Sequence, residues 1–130
     1  MFIQHVSVDA SKAPPWALDA PAVEHVAEFG FPLTHPVTLI TGGNGVGKST
    51  LLEGIARAWG FKVEGGPWGV DKPGAHDPMF GALTLRTGAR AKAGYFLRGE
   101  THTRVTEFGE RSHGESVMEL TSRFAQDALY

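Results

Sequence analysis

Apolar positions fall into several short runs with different spacings. Phe2 to Val8, "FIQHVSV", alternates loosely and is rich in β-branched residues, which predicts a strand. The stretch "DASKAPPWALDAP" reads as a proline-broken surface connection. Asp19 is placed to cap a helix through "APAVEHVAEF", with Val23 and Val26 on one face and Gly30 at its end. Pro36 to Ile40, "PVTLI", is a continuous apolar run of the kind that forms a buried parallel strand. The next segment, "GKSTLLEGIARAWG", has helical spacing. Leu51, Leu52, Ile55, Ala56 and Trp59 form one stripe, and Gly60 is suited to the position just past the end.

The second half is less regular. Phe61 to Met79 is rich in Gly, Pro and Asp and reads mostly as loop. "ALTLR" and "AGYFLR" are two further strand candidates, and "ERSHGES" is polar and turn-like. From Ser116 a second helix is expected, with Val117, Leu120, Phe124 and Ala128 at spacings of three and four. That helix should feed another strand, but the chain stops at Leu129-Tyr130, where the strand would begin.

Composition narrows the classes without naming one. At 130 residues the chain suffices for one domain with a real core. Its net charge of -2 gives no general attraction to nucleic acid. It has no cysteine, which removes disulfides, thiolate zinc sites and cysteine nucleophiles and fits a cytoplasmic location. No apolar run approaches the roughly 20 residues that span a bilayer, and the start has no secretory pattern. The six histidines show no metal-ligand spacing.

The chemistry is concentrated between the "PVTLI" run and the helix after it. Gly42, Gly43, Asn44, Gly45, Val46, Gly47, Lys48 and Ser49, set between strand and helix, have the Walker A arrangement. Glycines allow backbone amides to approach phosphate oxygens, and the helix start adds partial positive charge. Lys48, the expected catalytic residue, should bridge the β- and γ-phosphates. The Ser49 hydroxyl should ligate Mg²⁺, and Thr50 should contact the α-phosphate. A dinucleotide pattern fails, because its third glycine would fall at Lys48.

Three phosphate-loop classes compete. A GTPase reading rests on "DKPG" at Asp71 to Gly74, but no buried strand precedes it and no N-K-x-D is present. A small-molecule kinase would need a lid with arginines, for which Arg86, Arg90, Arg98 and Arg104 are the candidates. Solvated surface charge is the simpler reading of all four.

The third class is carried by a resemblance. "GNGVGKSTLL" resembles ATP-binding-cassette and SMC-type ATPases. "RSHGES" resembles that family's L-S-G-G-Q or L-S-G-G-E signature, with Ser112, Gly114 and Glu115 matching and Arg111 and His113 departing from it. Pro15-Trp16, Pro36 to Ala56, Gly60 to Gly66, Gly94 to Glu100 and Ser112 to Ser116 occur in the order seen in bacterial single-domain predicted "AAA family" ATPases of cassette type.

The resemblance implies an α/β phosphate-loop fold with an N-terminal strand lobe, a parallel core, the Walker A strand-loop-helix and a signature helix. It implies Mg-ATP binding and, in a full-length form that carries the water-activating carboxylate, ATP hydrolysis by a head that forms a homodimer around ATP, with Ser112, His113, Gly114 and Glu115 completing the site of the opposite head. Glu100 is a candidate for the residue that reaches Mg²⁺ and the attacking water. A surface glutamate is the simpler reading of that position. Residues 1–130 are then expected to be one partial cassette-type domain, ending before the strand that carries the family's Asp-Glu pair. A small-molecule phosphate-loop kinase and a non-catalytic nucleotide-sensing module remain the alternatives. Phe29 or Phe31 is a further candidate, for stacking on adenine, against simple packing.

Overall fold

The computed structural model describes residues 1–69, 79, 81–98 and 128–130. The chain divides into two compact units, Met1–Trp59 with Gly74–Arg90 and Gly60–Pro73 with Ala91–Tyr130. In chain order the elements are β1 (Ile3–Val8), α1 (Pro15–Leu18), α2 (Pro21–Phe29), β2 (Phe31–Pro32), α3 (Lys48–Trp59), β3 (Gly66–Pro67), β4 (Leu83–Thr87), β5 (Ala93–Phe96) and β6 (Ala128–Leu129).

The first unit is built on the antiparallel sheet β2-β1-β4. Ile3, Val6 and Val8 of β1 are all buried, which strict alternation does not allow. The register shifts between Ile3 and His5, and this irregularity brings Ile3 onto the side of Val6 and Val8. Helix α2 packs on β1 and α3 packs on β4. Val23 and Val26 of α2 are buried as their spacing predicts. Gly30 ends α2 with φ +73 and an amide bonded to the Val26 carbonyl.

Four expectations are corrected here. Asp19 does not cap α2. The N-cap is Ala20, with Pro21 at the first helical position, and Asp19 instead closes α1, a short helix inside the stretch expected to be irregular. The buried stripe of α3 is turned relative to the expectation. Leu52 is 48% exposed, whereas Gly54 is buried beside Leu51, Ile55 and Ala56. A Cβ on Gly54 would lie 3.0 Å from Leu83 Cδ1, so the bare glycine is what lets α3 lie close on β4.

The third correction concerns the Walker A strand. Pro36 to Ile40 forms no strand, and Val37 and Leu39 are each 84% exposed. An extended run becomes a strand only by pairing. In this sheet both edges of β1 are already taken, by β2 and β4. The expected parallel core is likewise not what these residues form: among the described residues only β5 and β6 pair in parallel.

The second unit holds the sheet β3-β5-β6. Gly94 sits beneath the Phe61 ring and opposite Leu129, where a Cβ would meet Phe61 Cζ and the Leu129 carbonyl oxygen at 2.9 Å each. The fourth correction follows. Ala128, counted on the helical stripe from Ser116, is a strand residue buried against Ala93 of β5. Apolar spacing of three and four ran on into a residue whose backbone pairs with an open strand edge. Val117, Leu120 and Phe124 lie outside the described residues.

Candidate phosphate-binding site

The site is a tight loop held between two helices of the first unit. After the irregular run to Thr41, Gly42 to Gly47 turn the chain into α3, which begins at Lys48. Gly45 has φ +81 and Gly47 φ +94, regions in which an L side chain is strained. The amide of Leu51 donates to the Gly47 carbonyl at 3.0 Å, the first helical bond of α3. The amides of Lys48, Ser49 and Thr50 therefore precede the helical ladder, at its partially positive end.

Lys48 folds back over the loop. Its Nζ donates to the carbonyl oxygens of Gly42 at 2.7 Å and Gly43 at 2.6 Å. The ammonium is thus held against the first two carbonyls of the loop, at the start of α3. Bonds from a charged donor contribute roughly 1.5–3 kcal/mol each, so an incoming phosphate must offer Lys48 a better partner than these two carbonyls. A doubly charged terminal phosphate does so through full rather than partial negative charge. Ser49 is exposed and Thr50 half-buried on the first turn of α3. Asn44 and Gly43 are exposed and Val46 is half-buried.

The other side of the loop rests on α2. The Ala22 amide donates to the Val46 carbonyl at 2.9 Å. A Cβ on Gly47 would lie 2.7 Å from the Ala20 methyl and 3.7 Å from both Ala22 Cβ and Val23 Cγ2. These contacts are invisible to motif reading, because alanines carry no chemistry of their own. The one available signal is Pro21, whose preference for the first helical position marks where α2 begins.

Not every candidate joins this loop. Glu100, Ser112, His113, Gly114 and Glu115 lie outside the described residues, as do "DKPG" and Arg104. Arg86 and Arg90 are exposed, and Arg98 donates to the Val63 carbonyl at 2.7 Å. Phe29 is exposed and tilted against His25 with ring centroids 4.9 Å apart, while Phe31 is half-buried in β2. Among the described residues no group of three or more His, Cys, Asp or Glu is arranged to hold a metal ion. A magnesium ion that arrives with nucleotide needs only one or two protein oxygens beside phosphate and water, and the exposed Ser49 hydroxyl next to Lys48 fits that requirement. No described helix is long and apolar enough to cross a membrane.

The family comparison covers this loop and what surrounds it. A family model described as "AAA domain" matches residues 24–120, well over half of the chain. No curated protein and no solved structure matches the chain significantly. With a glycine-rich loop opening a helix at Lys48 and a family match that spans it, the chain belongs to the AAA domain family of phosphate-loop, ATPase-like proteins.

Proposed function

We propose that this chain binds the triphosphate of ATP through Gly42 to Thr50 and serves as a cassette-type ATPase head that dimerises around the nucleotide. The observation that carries the reading is the Lys48 ammonium, set over the loop mouth at the start of α3 by the Gly42 and Gly43 carbonyls. On binding, Lys48 exchanges those carbonyls for the β- and γ-phosphates. The amides from Asn44 to Ser49 receive phosphate oxygens, Ser49 holds Mg²⁺, and Thr50 meets the α-phosphate. Several charge-assisted bonds together support micromolar affinity, about -8 kcal/mol.

Hydrolysis is assigned to the assembled pair of heads. Ser112, His113, Gly114 and Glu115 of one head meet the γ-phosphate held by the other, and Glu100 is the candidate on the water side. The sequence order of these segments supports the cassette reading over a kinase. Sedimentation with and without Mg-ATP tests it. The expected result is ATP-dependent dimerisation that is lost in Ser112→Arg, which puts a bulky cation where a phosphate-binding hydroxyl is required. A monomer under saturating ATP that transfers phosphate to an added metabolite would favour the kinase instead.

A further inference from the structure

The start of α2 touches the loop in two independent ways. One is polar: the Ala22 amide donates to the Val46 carbonyl at 2.9 Å. As a first-turn residue Ala22 has no helical acceptor for that amide, so the bond costs α2 nothing. The other is steric: the Ala20 methyl occupies the space in which a Gly47 side chain would stand, 2.7 Å from an ideal Cβ. Val46 and Gly47 are the last two residues before Lys48. Their peptides set the direction in which α3 leaves the loop and in which the loop amides point.

We infer that Ala20 and the Ala22 amide are positioning groups for the phosphate loop, fixing the Val46-Gly47 peptides so that the loop can receive an anion. This rests on the nucleotide-binding reading and adds to it a support from outside the glycine-rich motif. The loop's three positive-φ glycines, Gly42, Gly45 and Gly47, leave its backbone with many accessible conformations. A loop of this kind presents converging amides only when its neighbours hold it in one of them. Ala20 is small enough to touch Gly47 without displacing it. It is also an N-cap without a side-chain cap bond, so α2 gains nothing from its side chain there. A larger residue at position 20 presses on Gly47, and a smaller one leaves room above it.

Calorimetric titration with Mg-ATP tests the inference, with a urea unfolding curve for each variant. The wild-type chain must bind first; failure there removes the phosphate-loop reading itself, whatever the variants do. With wild-type binding in hand, Ala20→Val is expected to weaken ATP about tenfold, since displacing a binding group by an ångström has effects of that order or larger. Ala20→Ser, close to alanine in volume and a better N-cap, is expected to bind within about twofold of the wild type. Gly47→Ala is expected to bind poorly, and adding Ala20→Gly to it should recover at least about threefold, the coupling expected of residues in contact. The inference is overturned if Ala20→Val binds as the wild type does. It is equally overturned if Ala20→Gly gives Gly47→Ala no recovery, or if losses of affinity follow the urea midpoints alone.

Discussion

At the residue scale, two glycines of one loop are required for different reasons. Gly45 has φ +81 and open space around an added Cβ, so only backbone strain opposes a side chain there. Gly47 has φ +94 and also faces the Ala20 methyl. Gly45→Ala is expected to lower stability by about 1–3 kcal/mol, the range for a residue held in a sparsely populated conformation. Gly47→Ala should lower it further, and urea midpoints measured side by side order the two. A separate residue-scale prediction concerns Tyr95. Its hydroxyl oxygen is enclosed and has no hydrogen-bond partner among the described residues. Burial raises its pKa above the ordinary 10.0. The folded state then holds its phenolic proton at a pH where the unfolded chain releases it. Stability from this group is complete below the ordinary value and falls as pH rises through the folded one. Unfolding curves from about pH 9 to about pH 11 should show that decline, and Tyr95→Phe should flatten it.

At the element scale, the contact between α3 and β4 depends on the absence of a side chain at Gly54. Gly54→Val would drive methyl groups into Leu83 and Met79, with an expected loss of about 1–3 kcal/mol from overpacking. Thermal or urea unfolding measures it. The same position shows what the sequence can and cannot convey. Helix α3 is legible from Leu51, Ile55 and Ala56, yet the apolar stripe also takes in Leu52, which is exposed, and passes over the buried Gly54. Apolar periodicity has no way to count a glycine, although a glycine marks the closest approach of two backbones. Strand β1 and the end of α2 at Gly30 were legible because β-branched alternation and a positive-φ glycine are local properties. Pro36 to Ile40 was not, because forming a strand depends on a free edge elsewhere in the fold. Asp19 has the chemistry of a cap but stands one residue too early, and Pro21 fixes the helix start instead. The loop from Gly42 to Ser49 was the most legible feature, since its spacing encodes its own turn. Its support by Ala20 and Ala22 was not, because that contact joins positions more than twenty residues apart through groups with no motif.

At the scale of the whole molecule, binding and folding are linked. A ligand held only by the folded loop stabilises the chain by about 2.7 kcal/mol at one hundred times its dissociation constant. Mg-ATP is therefore expected to raise the unfolding temperature of the wild-type chain. It should do little for Lys48→Ala, in which the ammonium over Gly42 and Gly43 is gone. The proposed function requires that backbone donors and this one ammonium together hold a nucleotide's phosphates. Its most direct test is a calorimetric titration of folded wild-type chain and Lys48→Ala with Mg-ATP. Micromolar binding is expected in the wild type, weakened about 10- to 100-fold by the substitution, the loss of one charge-assisted interaction. Equal affinity in the two proteins, or no heat of binding in the wild type with either ATP or GTP, would contradict it.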